Sequence, residues 1–297
     1  MIDLHGIIVP IITPFDAQEN FNEAEMRVQI NRQLDAGIHG IFCLGTNGEF
    51  YAITEAEKER IIDVCVETTN GRRPVFAGTG CAGTLETIRL SKRAKELGAD
   101  ALSVVCPYFA LASQDGIYRH YAEIASAVDM PLVLYNIPAR TGNAIAPSTL
   151  QRLTAIPNIV AIKDSSGNFD NMLQYIECCR GTQVRVISGT DSLILWNLMA
   201  GGTGGIAGCA NVFPRTLVSI YEAFVKGDIE SARTAQDSLR PLRNVFRLGN
   251  PNTVVKAAVS MLNYPVGQCR APFNGLSAQA SAELKAVLTA CAAEGMC

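Results

Sequence analysis

Short apolar runs alternate with longer amphipathic stretches along almost the whole chain. Eight of the runs read as strands: Gly6–Thr13, Ile41–Gly45, Pro74–Gly80, Ala101–Pro107, Leu132–Asn136, Ile159–Asp164, Val184–Thr190 and Gly204–Gly208. Each is nearly continuous in apolar residues, the pattern of a parallel strand buried on both faces. Helical spacing of apolar residues fills the gaps, over Asn22–Ala36, Thr54–Thr69, Thr84–Leu97, Asp115–Val128, Pro147–Thr154, Phe169–Arg180, Leu193–Ala200 and Asn211–Lys226. The second of these opens with Thr54-Glu55-Ala56-Glu57, a capping box in which two side chains satisfy each other's free backbone N–H groups. Gly37, Gly98 and Gly201 stand just past helix ends, where glycine supplies the left-handed turn.

Eight βα units in succession predict an α/β fold, a closed (βα)8 TIM barrel. The rival is an open doubly wound sheet. It would carry a phosphate or dinucleotide fingerprint after the first strand, and Thr13-Pro14-Phe15-Asp16 is no such loop. Three further helical stretches, Asp228–Leu248, Asn252–Leu262 and Ser277–Glu294, follow the eighth unit. The expected organisation is a barrel over residues 1–226 with helices from 227–297 packed on it as one structural unit.

Composition narrows the function classes. The 297 residues are 48% hydrophobic and 18% charged, ample for one large core. The formal net charge is -3 and Lys and Arg form no run, so no nucleic-acid partner is expected. The apolar runs are short and broken by Gly, Pro and polar residues, and none is expected to enter a membrane. The start, MIDLHGIIVPIITPF, lacks the basic and long apolar regions of a signal peptide, so a cytoplasmic location is expected. Ten cysteines without a CxxC pair and three separated histidines argue against a metal site. The cysteines read as small buried apolar residues in a reducing compartment.

In such barrels the chemistry sits at the C-terminal ends of the strands. Strand two ends in Gly45-Thr46-Asn47-Gly48-Glu49, strand four in Pro107-Tyr108, strand five in Tyr135-Asn136, and strand six in Lys163-Asp164. Lys163 closes an otherwise apolar run. Inside a barrel, desolvation disfavours an ammonium, and the neutral amine is the form that attacks a carbonyl to give a Schiff base. The competing reading is a lysine reaching solvent and paired with Asp164. Tyr135 precedes Lys163 by one βα unit, so a phenol and an amine end adjacent strands; a phenol there can move a proton beside the reacting carbon, or simply pack on the rim. The backbone N–H groups of the Gly45–Glu49 loop and the Thr46 hydroxyl suit a carboxylate, although the same residues also form ordinary turns. Gly201-Gly202-Thr203-Gly204-Gly205 precedes its strand, which puts it on the stability face rather than at a phosphate site.

Three motifs now carry a resemblance: Gly45-Thr46-Asn47-Gly48-Glu49, Tyr135-Asn136-Ile137-Pro138-Ala139-Arg140-Thr141-Gly142 and Ile162-Lys163-Asp164-Ser165-Ser166-Gly167-Asn168. In order and kind they resemble the dihydrodipicolinate synthase / N-acetylneuraminate lyase family, over essentially the whole chain. The resemblance implies a class I aldolase that needs no metal or organic cofactor. Lys163 would form the Schiff base and Tyr135 would relay protons. Thr46, with Gly45 and the backbone of Asn47, would bind the pyruvate carboxylate. Ile206 would face the bound pyruvate through its carbonyl, and Tyr108 would border the substrate site. Arg140 would hold the carboxylate of an aldehyde partner, as in the synthases. The partners implied are pyruvate and an aldehyde, in a homo-oligomer built as a dimer of dimers with Tyr108 and Phe109 at a contact.

Two departures divide the substrate expectation. Asn47 stands where the synthases carry a second Thr. Phe109 stands where they insert a second Tyr into the neighbouring subunit, so a Thr–Tyr–Tyr hydroxyl relay would be broken. Arg140 and the stretch from Asn250-Pro251-Asn252 to Lys256 favour condensation of pyruvate with aspartate semialdehyde. Asn47 and Phe109 favour cleavage or dehydration of a 2-keto-3-deoxy sugar acid. A non-catalytic keto-acid-binding barrel is the alternative from another class; loss of the lysine would mark it, and Lys163 is present. Glu55 and Lys58 replace histidines of lysine-inhibited synthases, so feedback of that type is not expected.

Overall fold

The computed structural model describes residues 4–273 and 275–297. Eight parallel strands close in sequence order: β1 (Gly6–Pro10), β2 (Gly40–Cys43), β3 (Val75–Gly78), β4 (Ala101–Val105), β5 (Leu132–Asn136), β6 (Ile159–Asp164), β7 (Arg185–Ser188) and β8 (Gly204–Ile206). This is the expected TIM barrel. Most strands are shorter than their apolar runs, because the residues past each C-terminal end leave the ladder to build the loops of the mouth. The described residues form thirteen α-helices: α1 (Glu23–Asp35), α2 (Glu55–Thr69), α3 (Thr84–Glu96), α4 (Gln114–Ala127), α5 (Pro138–Thr141), α6 (Pro147–Leu153), α7 (Phe169–Cys179), α8 (Ile194–Ala200), α9 (Pro214–Val225), α10 (Ile229–Ser238), α11 (Arg240–Asn244), α12 (Pro251–Met261) and α13 (Ala278–Ala293).

The predicted signals act as read. Thr54 and Glu57 close the capping box of α2. Gly201 ends α8 at a φ of 107°, on the end of the barrel away from the mouth. The expected single helix over 228–248 is instead broken into α10, α11 and a 3-10 turn, with Pro241 in the first turn of α11. Proline has no N–H to continue the ladder of a preceding helix and belongs at a helix start. The short helix α5 follows the same rule through Pro138 and was not expected from the pattern.

Two apolar layers explain the continuous strands. Ile8, Phe42, Phe76, Ala101, Val133 and Ile187 fill the barrel, while their strand neighbours Ile7, Val9, Ile41, Cys43, Leu132, Leu134 and Val186 pack under the helices. β6 breaks the alternation. The β5–β6 register shifts between Leu132↔Ile159 and Val133↔Ala161, and both Val160 and Ala161 join the interior cluster. This bulge reverses the facing of the rest of the strand. Ile162 then lies outward and Lys163 turns into the barrel beside its register partner Tyr135.

The C-terminal helices reach the mouth rather than the closed end. Gln236 on α10 donates to the Asp191 carbonyl and accepts from Leu195 N, both at 2.9 Å. Arg243 on α11 donates to Asp191 Oδ2 at 3.0 Å, while Asp191 Oδ1 accepts from Cys209 N at 2.9 Å. The loops after β7 and β8 are thereby tied together. No helix among the described residues is long and apolar enough to cross a membrane.

Candidate active site

The bulge on β6 and the register of β5 bring two of the expected side chains into contact. The Lys163 ammonium nitrogen lies 3.9 Å from the centroid of the Tyr135 ring and 5.2 Å from that of Phe42. Lys163 is 3% exposed. Asp164, which points to the other side of the strand, has its own partners: Asn136 Nδ2 at 2.8 Å, Ser166 N and Oγ at 3.0 and 2.8 Å, and Asn171 Nδ2 at 3.2 Å. The solvent-facing lysine paired with Asp164 is therefore not what the fold builds. Lys163 has no carboxylate partner among the described residues. An amine in this setting is held by ring faces, which leave its nitrogen open to a carbonyl carbon.

Thr46 comes from β2 across the mouth. Its Oγ1 shares a hydrogen bond of 3.1 Å with the Tyr135 hydroxyl. The loop that carries it is tightly turned. Gly45 packs against Phe42, where a Cβ would meet the ring at 2.9 Å, and Glu49 closes the loop in a left-handed conformation with φ 57°. Asn47 leans toward β8, with its Nδ2 3.1 Å from where a Cβ on Gly208 would stand. Ile206 ends β8 and is buried in the barrel.

Beside Thr46 opens a pocket of about 230 Å³, lined by Tyr51, Tyr108, Arg140, Asn250, Asn252 and Phe273, among others. Arg140 stands on α5 at its rim, exposed, with no carboxylate partner among the described residues. Burial pushes the Tyr108 phenol up, and burial assisted by the nearby Glu49 charge pushes Tyr51 up to about 12, so both phenols keep their protons. Phe109 is not part of this pocket. It is 99% exposed on the loop after β4, at φ 78°. A larger depression of about 1000 Å³ lies beside α12, lined by Phe15, Asp16, Lys256 and Gln268, away from Lys163; size alone does not make it the reactive site. Among the described residues no group of three His, Cys, Asp or Glu side chains is gathered that could hold a metal ion.

Three contributors lie outside the sequence motifs. Gly189, after β7, leaves the space that Lys163 occupies: a Cβ there would stand 2.8 Å from Lys163 Cε. Asn252 on α12 donates through Nδ2 to the Thr46 carbonyl at 2.7 Å and to the Tyr51 hydroxyl at 2.9 Å. One turn further, Lys256 pairs with Glu49 at 2.5 Å, both fully buried, and donates to the Gln268 carbonyl at 3.0 Å. Burial pushes the Lys256 ammonium down, against the pull of Glu49. The second oxygen of Glu49 accepts from Arg270 N at 3.0 Å. Only the run from Asn250 to Lys256 signalled this in the sequence, and without its contacts.

At one barrel mouth stand a buried amine against a phenol, a hydroxyl loop and a guanidinium without a carboxylate partner among the described residues. Residues 3–291 match the model of the dihydrodipicolinate synthetase family. The chain belongs to that family. It is a lyase of the class I aldolase type. A 4-hydroxy-tetrahydrodipicolinate synthase of Methanospirillum hungatei is 38% identical over 96% of this chain and 98% of its own. One from Syntrophobacter fumaroxidans is 41% identical over 92% of this chain and 93% of its own. Among solved structures, the 4-hydroxy-tetrahydrodipicolinate synthase of Methylacidiphilum fumariolicum superposes with a TM-score of 0.95 at 31% identity, covering 98% of this chain and 97% of that one.

Proposed function

We propose that this family member forms a Schiff base between Lys163 and pyruvate and condenses it with aspartate semialdehyde. The observation that carries the reading is the Lys163 amine, buried, without a carboxylate partner among the described residues, and 3.9 Å from the centroid of the Tyr135 ring whose hydroxyl meets Thr46. The Lys163 amine adds to the C2 carbonyl of pyruvate, and loss of water leaves the imine. Thr46, Gly45 and the Asn47 backbone hold the pyruvate carboxylate, and the Ile206 carbonyl borders its far side. Tyr135, hydrogen-bonded to Thr46, gives its proton to the hydroxyl that leaves as water when the imine forms, and the resulting phenolate takes a proton from C3 to give the enamine. The enamine carbon attacks the aldehyde carbon, forming the new C–C bond, and the aldehyde oxygen picks up a proton. The amino group of the second substrate then displaces Lys163 from the imine carbon and frees the enzyme. Arg140, exposed at the pocket rim and without a carboxylate partner among the described residues, suits the carboxylate of that substrate.

A specific observation keeps the sugar-acid reading in play. Phe109 brings no hydroxyl, and the Asn47 amide faces the β8 side of the mouth, where it could meet a hydroxylated chain. Two measurements test the pair. Borohydride with pyruvate should add a reduced adduct to the parent and none to Lys163→Ala; an adduct on the variant would rule out this imine. Condensation with aspartate semialdehyde should exceed pyruvate release from 2-keto-3-deoxygluconate, and the reverse order would make this a sugar-acid lyase.

The same reading includes a dimer of dimers. Exposed apolar side chains in two regions support it: Phe109 and Leu111 on the loop after β4, and Leu173, Trp196 and Met199 on α7 and α8. Sedimentation should give four chains per particle, and a monomer at assay concentration would overturn the assembly.

A further inference from the structure

The direction of one hydrogen bond defines a donor that the family motifs do not contain. Asn252 Nδ2 gives one hydrogen to the Thr46 carbonyl, a group that only accepts, and this fixes which end of the amide points there. The same nitrogen lies 2.9 Å from the Tyr51 oxygen, so Tyr51 accepts. Its own O–H then has no acceptor among the described residues, while the side chain lines the pocket that also holds Arg140. The phenol cannot easily swing away. Phe273 packs edge-on at 5.1 Å and Phe50 at 5.6 Å.

We propose that Tyr51 is a specificity-determining residue: held by Asn252, it donates its hydroxyl proton to the carboxylate of the aldehyde substrate beside Arg140. The assignment rests on the synthase reading above and names a further group within it. Asn252 is the positioning residue, and one amide couples the two substrate halves. It fixes the Thr46 backbone on the pyruvate side and the Tyr51 hydroxyl on the aldehyde side. The hydroxyl is supplied by the same chain, on the residue after Phe50, and does not depend on Phe109. The high phenol pKa keeps the proton in place at neutral pH.

The experiment measures KM and kcat for aspartate semialdehyde at saturating pyruvate, together with the rate of borohydride trapping of pyruvate alone, in the parent and in Tyr51→Phe. A hydrogen bond to a charged group sets the expected rise in KM at roughly tenfold, with kcat and the trapping rate moving far less. An unchanged KM overturns the proposal. A parallel fall in the trapping rate also overturns it, since that would mark a packing role shared by the whole mouth. Asn252→Asp is the second variant. It turns the donor into an acceptor, which draws the Tyr51 proton away from the pocket. It should raise KM as well, and Tyr51→Phe added to it should raise KM no further; additive effects would break the proposed link. A parent that traps no pyruvate sinks the Schiff-base reading itself, an outcome distinct from an unchanged KM in a parent that does.

Discussion

Replacing Gly189 by alanine tests whether the position of Lys163 is as tightly set as the fold implies. The added Cβ would stand 2.0 Å from Ser165 Oγ, 2.8 Å from Lys163 Cε and 3.0 Å from the Asp164 carbonyl. Gly189 is not among the residues with positive φ, so the effect is one of space alone. Ser165 can rotate. The Asp164 carbonyl cannot, because it accepts from Gly189 N at 2.7 Å within the strand framework. Carbon atoms rest at about 3.5–4.0 Å, so Lys163 Cε must retreat by about 1 Å in a space that the Tyr135 and Phe42 rings also border. Overpacking of this kind costs about 1–3 kcal/mol of stability, and a displacement of about 1 Å at a reacting group costs on the order of 100-fold in rate. The assay is the rate of pyruvate trapping by borohydride, read beside the melting temperature. The expected result is a folded protein, a few degrees less stable, trapping pyruvate about 100-fold more slowly. Gly83→Ala is the control, since nothing lies within 4 Å of a Cβ there and its φ is -109°. If Gly189→Ala traps pyruvate at the parental rate, Lys163 is not confined as argued and the reasoning fails.

Two other outcomes probe the supports of the mouth. Lys256→Ala leaves the Glu49 carboxylate buried without its cation, which should cost about 3–5 kcal/mol and lower the melting temperature; a change within error would mean that water or rearrangement replaces the pair. The Arg270 guanidinium holds Glu57 down from the ordinary 4.5 to about 2. A carboxylate lowered on folding adds stability above its unfolded pKa and loses it as pH falls through the folded one. Glu57→Gln should therefore be less stable than the parent at neutral pH, with the gap closing between about 4.5 and 2. A gap constant across that range in chemical unfolding would remove the ion pair as its cause.

The sequence by itself determined the architecture and the chemical type. Continuous apolar runs spaced by amphipathic helices leave few folds other than a closed parallel barrel, and local capping at Thr54 or Gly201 needs no distant partner. Lys163, Tyr135 and Thr46 were legible as candidates because each lies at or just past the C-terminal end of a strand, and strand ends in a barrel converge whatever the loops do. The facing of Lys163 was not legible. Strict alternation from the outward Ile159 would have turned Lys163 outward, and only the bulge at Val160 and Ala161 turns it inward. Nor could the sequence show that Asn252 reaches the Thr46 carbonyl 206 residues away, that Lys256 neutralises Glu49, or that Gly189 clears the space beside Lys163. Periodicity reports how a residue faces relative to its own neighbours. Which distant backbone a side chain meets depends on how the helices after β8 pack on the barrel, and that is decided by burial summed over the whole fold.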